Sequence, residues 1–201
     1  MTTMTKVAIL LPPAGLPGQV SMYRAIFGVD RRHAGGPAFA LAFARQRSRA
    51  GLAVLAQADI IAVAPGARNV GAGVAAALRE AVRRGCRILA VGGAVHTVAA
   101  AGLLDGRPVA AGPADAEELR SCYPRVRVAM GVRFVDDDPI FSAAAGTAGI
   151  DLCLHVVRKY HGADAATAIS LSLNRLITVD VPPSSKLPRE FRYVDSLGYL
   201  V

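Results

Sequence analysis

The chain has 201 residues and a mass of 20.9 kDa, is 53% apolar and 19% charged, and so lies outside the disordered class, with core enough for one domain of ordinary size. Aromatic residues make up 5% and Trp is absent, which leaves Ala, Val, Leu and Ile to build the core. The net charge is +8 and the pI about 10.0, yet the arginines fall in short groups between apolar stretches with no aromatic interleaving for base stacking, so an Arg-rich solvated surface is expected and nucleic acid is not an expected partner.

In chain order, residues 6–11 (KVAILL) are a short continuous apolar run stopped by Pro12-Pro13, the pattern of a buried strand. The run is too short for a secretory signal, and no stretch approaches the ~20 residues of a membrane span. Residues 18–28 place Val20, Tyr23 and Phe27 at helical spacing, with Gly28 as a C-terminal cap. Residues 39–44 are a weaker strand, and 59–64 (DIIAVA) a further buried strand before Pro65-Gly66. Residues 71–84 predict a helix with Val74, Leu78 and Val82 on one stripe and Gly85 past its end. Residues 86–91 (CRILAV) read as the next buried strand, and 94–101 as a helix ended by Gly102. Alternation of apolar strands with helices predicts parallel pairing, with helices covering both faces of the sheet. Ligands bind beyond the carboxyl ends of such strands, here the loops after Leu11, Ala64 and Val91.

In the second half, residues 115–123 predict a short helix, and 126–130, 132–136 and 140–143 predict strands around the acidic turn Asp136-Asp137-Asp138. Residues 147–160 form a strong helix with Thr147 as cap and Gly162 at its end, and Asp164 caps another helix to Ile177. The α/β domain is thus expected over 1–178. The segment 179–201, with Pro182, Pro183 and Pro188, is expected to be an extended C-terminal tail. Cys86, Cys122 and Cys153 form no CxxC pair and no zinc spacing. No disulfide and no metal are therefore expected, and the setting is read as reducing and cytoplasmic.

The segment Ala99-Ala100-Ala101-Gly102-Leu103-Leu104-Asp105-Gly106 resembles the stretch after the nucleophile in the ThiJ/PfpI superfamily. Matching segments are Phe27-Gly28-Val29-Asp30, Ala64-Pro65-Gly66, residues 119–124, Val135-Asp136-Asp137, and residues 148–155 (AGIDLCLH). The resemblance covers residues 6–177 and is strongest to the N-terminal domain of AraC-type regulators. It implies a class I glutamine amidotransferase-like fold, a flavodoxin-like three-layer α/β/α sandwich with a mostly parallel sheet, and a homodimer.

The departures bear on chemistry. The family's turn reads like Ser-Ile-Cys-Ser-Gly-Ala, and ungapped counting sets it on residues 90–95 (AVGGAV), with Gly92 in the nucleophile's place. Glycine has no side chain, so neither a thioester nor a thiohemiacetal forms there. The family's His-Trp pair falls on Gly112-Pro113, and its acidic residue on the first helix falls near Ala25. Nothing after Val179 resembles a helix-turn-helix module. Thiol chemistry of the glutaminase, protease or glyoxalase kind is therefore not expected.

Other groups remain. His96 lies four residues past Gly92, on the same helix face, and a neutral imidazole there is suited to acid–base work; the resemblance sets a Gln at that position in amidotransferases and a Phe in the regulators, so a core histidine is the plain alternative. Gly92 and Gly93 offer backbone N–H groups that could clamp an anion or a carbonyl, with Gly66 facing them. Tyr23 and Arg24 are expected near the pocket mouth, Arg24 as a holder of an acidic ligand. Asp30 reads as a solvated ion pair beside Arg31 and Arg32, and Asp151 with His155 as structural.

Two functions stay open. One is a cofactor-independent enzyme of the isomerase, lyase, hydratase or cyclase type, acting on a small carbonyl-bearing or polyketide-like metabolite, with His96 as acid or base and the glycine amides as clamp. The other is a catalytically inactive small-molecule-binding or regulatory domain derived from the sensor domain of an AraC-type regulator.

Overall fold

The structure, a computed structural model, describes residues 4–13, 19–29, 38–46, 48–66 and 70–177. Asp30, Arg31, Arg32 and the expected tail 179–201 lie outside the described residues.

Among the described residues, five strands run parallel. They are β1 (Thr5–Leu11), β2 (Phe39–Arg45), β3 (Ile60–Val63), β4 (Arg87–Val91) and β8 (Ile140–Ala143), and β7 (Phe134–Asp137) adds antiparallel to β8. The sheet order is β2-β1-β3-β4-β8-β7. A separate parallel pair joins β5 (Pro108–Ala110) to β6 (Arg127–Ala129). The helices are α1 (Gln19–Phe27), α2 (Arg49–Gln57), α3 (Ala72–Arg83), α4 (Ala94–Ala100), α5 (Pro113–Cys122), α6 (Thr147–His161) and α7 (Ala163–Ile177).

The two-residue period of a strand sorts the core into two layers. Val7, Ile9 and Leu11 face α1, α6 and α7, where Val20, Tyr23, Phe27, Leu152, Val156 and Ile169 meet them. Ala8 and Leu10 face the other way, toward Leu55 of α2, Val74 and Leu78 of α3, Val95 of α4 and Leu119 of α5. β1, β3 and β4 are therefore apolar at nearly every position. Each large aliphatic side chain buried this way contributes about 1.5–3 kcal/mol before the entropy of ordering it. The three-layer α/β/α sandwich with a mostly parallel sheet is the observed fold.

Close approach sets the fit of α6. A Cβ on Gly149 would stand 2.7 Å from Val91 Cγ1 and 3.0 Å from Met22 Sδ, so only glycine lets this helix lie so near β4 and α1.

Several details differ from the sequence expectation. α2 was not anticipated, although Ser48 is its N-cap and accepts from the Gly51 N–H. β5, with 3 residues, is too short to show a period. Thr147 is the first helical residue of α6 and Gly146, at φ 75°, is the N-cap. Asp164 lies within the first turn of α7 rather than before it. Asp136 and Asp137 close β7, so only Asp138 of the triplet belongs to the turn.

Candidate functional site

Three chain reversals meet beyond the carboxyl ends of β1, β3 and β4. Gly66, at φ 124°, follows β3, and a Cβ there would lie 3.3 Å from Pro12 Cβ after β1. A Cβ on Gly93 would lie 3.6 Å from Pro65 Cβ and 3.7 Å from Asp115 Oδ1. The loops after β1, β3 and β4 therefore touch, as the topology of a parallel sheet requires at its carboxyl edge.

Gly92 forms the strand-to-helix turn at φ 55°, a conformation that glycine takes without the Cβ clash other residues meet. Its carbonyl accepts the first bond of α4, from Val95 N–H. Its own N–H donates to Ala143 O at 2.9 Å, continuing the β4–β8 ladder by one residue, and is thereby engaged by the sheet. Gly93 is the N-cap of α4, with no side-chain cap. The helix it opens has 7 residues, a short stack of peptide dipoles.

His96 sits on α4 one turn past Gly92 and is 2% exposed. Its Nε2 lies 3.1 Å from Asp115 Oδ1 and 3.7 Å from Glu118 Oε2. Both carboxylates come from α5, three residues apart on one face. Asp115 occupies the first turn of that helix, after Pro113, where the peptide dipoles favour a negative charge. A carboxylate only accepts, so Nε2–H donates to Asp115 and the imidazole ties α4 to α5. The side chains of Asp115 and Glu118 are 23% and 27% exposed, so the acidic half of the bridge reaches solvent while the ring does not. Sequence reasoning singled out His96 and missed both partners. The visible signal was an Asp placed in the first turn of a predicted helix.

The other expected residues are placed as follows. Tyr23 is fully buried under the carboxyl end of β3 and its hydroxyl donates to Val63 O at 3.4 Å. Burial, with Cys153 adding, pushes its phenol well above the usual range. Arg24, next along α1, is exposed. Tyr23 thus belongs to the core beneath the loops rather than to a mouth.

The acidic turn lies at the other end of the sheet, beside the start of β8. Its charges are matched. Asp136 accepts from His155 Nε2 at 2.7 Å and from Lys159 Nζ at 2.9 Å, Asp137 from Arg107 at 2.7 Å, and Asp138 from the Tyr160 hydroxyl. Burial works against ionisation of Asp136, but the hydrogen bonds from His155 and Lys159 prevail and hold its carboxyl below the ordinary range. Asp151 pairs with Arg133 rather than with His155. Among the described residues no group of three or more His, Cys, Asp or Glu is placed to hold a metal.

Cys86 and Cys153 are buried, and burial pushes the Cys86 thiol up to about 12 and the Cys153 thiol higher still. Neither supplies a thiolate at neutral pH. Cys122 is exposed at the end of α5. Among the described residues no helix is long and apolar enough to cross a membrane.

No family model matches the sequence. The HTH-type transcriptional regulator CdhR of Pseudomonas aeruginosa is 29% identical over 176 residues, 81% of this chain and 52% of that protein. The HTH-type transcriptional regulator GbdR of the same species is 35% identical over 94 residues, 46% of this chain and 25% of that protein. The chain thus spans about half or less of these curated relatives. Among solved structures, an AraC family transcriptional regulator from Pseudomonas putida superposes with a TM-score of 0.66 at 19% identity, covering 85% of this chain and 100% of that one. Drosophila melanogaster DJ-1beta gives a TM-score of 0.66 at 16% identity, covering 86% and 98%. A ThiJ/PfpI family protein from Pseudomonas syringae gives 0.65 at 17% identity, covering 90% and 78%. With its parallel sheet, its left-handed glycine turn after β4 and these superpositions, the chain has the DJ-1/ThiJ/PfpI fold, and it resembles AraC-type regulators in sequence.

Proposed function

We propose that this chain is a small-molecule-binding domain of the regulator-sensor kind that works without a nucleophile. One observation carries the reading: the turn after β4 keeps its positive φ while presenting no side chain, and the N–H of Gly92 is engaged by Ala143 O. Pro65 and Asp115 stand beside Gly93, Pro12 stands beside Gly66, and none of these brings a thiol or hydroxyl to the turn. The curated relatives are transcriptional regulators, which fits a domain that reports on a ligand. Homodimerisation, implied by the family resemblance, belongs to the same proposal.

A second reading is favoured by the 3.1 Å contact between His96 and Asp115. A histidine oriented by a carboxylate is a suitable proton carrier, and an isomerase or lyase of a small carbonyl-bearing metabolite needs little more. Against it, the imidazole is enclosed.

The test begins with a metabolite extract passed over the purified chain, with bound molecules identified by native mass spectrometry. His96→Phe, which keeps the ring's bulk, is then compared with the unaltered chain. Under the sensor reading the molecule is recovered unchanged and its Kd moves by less than about threefold. Under the enzyme reading a product of altered structure appears, and its formation falls roughly 10²–10⁴-fold in the variant. Covalent capture of the ligand on the protein contradicts both.

A further inference from the structure

The hairpin of α6 and α7 turns at Gly162 and carries a groove of about 390 Å³ lined by residues of both helices. That volume falls in the range of roughly 300–1,000 Å³ typical of small-molecule sites. Leu154 of α6 and Leu171 of α7 form its apolar wall, and Leu171 is 60% exposed against it. Along α6, Asp151 to Arg158 covers two helical turns, about 10 Å of groove.

The charges along it are matched, with one exception. Asp151 is paired with Arg133, and His155 Nε2 is held by Asp136 at 2.7 Å. Lys159, the neighbour of Arg158, is held by Asp136 at 2.9 Å. Arg158 is exposed, lines the groove and makes no ion pair with any described residue. The Thr167 hydroxyl donates to Ala163 O, which leaves the guanidinium and the Ser170 hydroxyl as donors toward the groove. A planar cation beside an apolar channel one small molecule long is complementary to a carboxylate with a short hydrocarbon tail.

We propose that the α6–α7 groove is a binding site for a small amphipathic carboxylate, its anionic end on Arg158 and its tail along Leu154 and Leu171. The site is separate from the ligand site at the β4–α4 turn and stands independently of it.

The test uses octanoate as probe, titrated into the isotope-labelled full chain and followed by amide NMR shifts. Saturable shifts confined to α6 and α7 are expected. Octanol and octylamine, which share the tail without the negative charge, bind at least about fivefold more weakly. Arg158→Gln weakens octanoate roughly fivefold, Arg158→Lys recovers part of that loss, and Leu171→Ser weakens all three probes alike. Arg158 and Leu171 are both exposed, so the fold is expected to survive, and circular dichroism checks it. Equal binding of octylamine, an Arg158→Gln variant that binds as before, absence of saturation, or shifts centred on residues 92–96 would each overturn the proposal.

Discussion

Two histidine–aspartate pairs occupy opposite settings in this molecule. His96 Nε2 and Asp115 Oδ1 are 3.1 Å apart, with the imidazole side chain 3% exposed. His155 Nε2 and Asp136 Oδ2 are closer, at 2.7 Å, with the imidazole 33% exposed. The shorter contact contributes less to stability. Water and salt screen it, and Lys159 shares Asp136. The longer contact lies where a polar ring deprived of its partner finds no water to replace it. Burial, and not distance, ranks the two pairs. It also separates their uses: the exposed pair fastens α6 to β7, and the enclosed one fastens α5 to the turn where ligands are expected.

Mutations break this comparison in graded steps. The largest effect is expected of His96→Ala, which deletes an enclosed ring and parts α4 from α5; denaturant melts are predicted to lose about 2–4 kcal/mol. His96→Phe refills the space and is expected to stay within about 1.5 kcal/mol of the unaltered chain. A loss in His96→Ala no larger than that of an exposed site would refute the packing described. Next comes Asp115→Ala, predicted to cost about 1–2 kcal/mol, because Glu118 at 3.7 Å is too far to replace the bond.

Asp136→Asn is expected to cost less, about 0.5–1 kcal/mol at neutral pH. Its pH dependence has a definite sign. The folded carboxyl is held below its ordinary value, so its contribution is present above the unfolded pKa of about 4 and is lost as pH falls through the lowered folded value. Acid melts of Asp136→Asn should therefore be shallower than those of the unaltered chain below about pH 4, and parallel to them above it. The smallest effect belongs to His155→Ala, about 0.5 kcal/mol, and its ion-pair share, present where the imidazole is protonated, falls in roughly 1 M NaCl. The His96→Ala deficit should hardly respond to salt, and equal salt sensitivity in the two variants would erase the distinction.

The parallel sheet could be read from the chain because strands buried on both faces are apolar at successive positions, as in KVAILL and CRILAV, and end at Pro or Gly. α2 escaped notice because its alanines blur the stripe that Leu52 and Leu55 draw, so only Ser48 marked it. The site was visible where it is local. Gly92, Gly93 and His96 share one turn and its following helix, and Gly66 follows its own strand. Contacts between distant segments were not visible. Asp115 meets His96 across 19 residues and Gly92 meets Ala143 across the ladder, and no local period encodes either. Tyr23 was drawn toward the mouth by its place on α1, whereas a phenol that can reach Val63 O satisfies its polar tip and lets the rest of the ring join the core.

The backbone at Gly92 has a consequence for what this joint could become. At φ 55° any side chain brings its Cβ against the neighbouring carbonyl, at a cost of about 1–2 kcal/mol. Proteins that keep a reactive group on such a bend carry that tension permanently, whereas here the bend is at rest. Substituting cysteine at residue 92 would therefore start uphill, and a chemist grafting reactivity onto this scaffold would have to firm up its core beforehand.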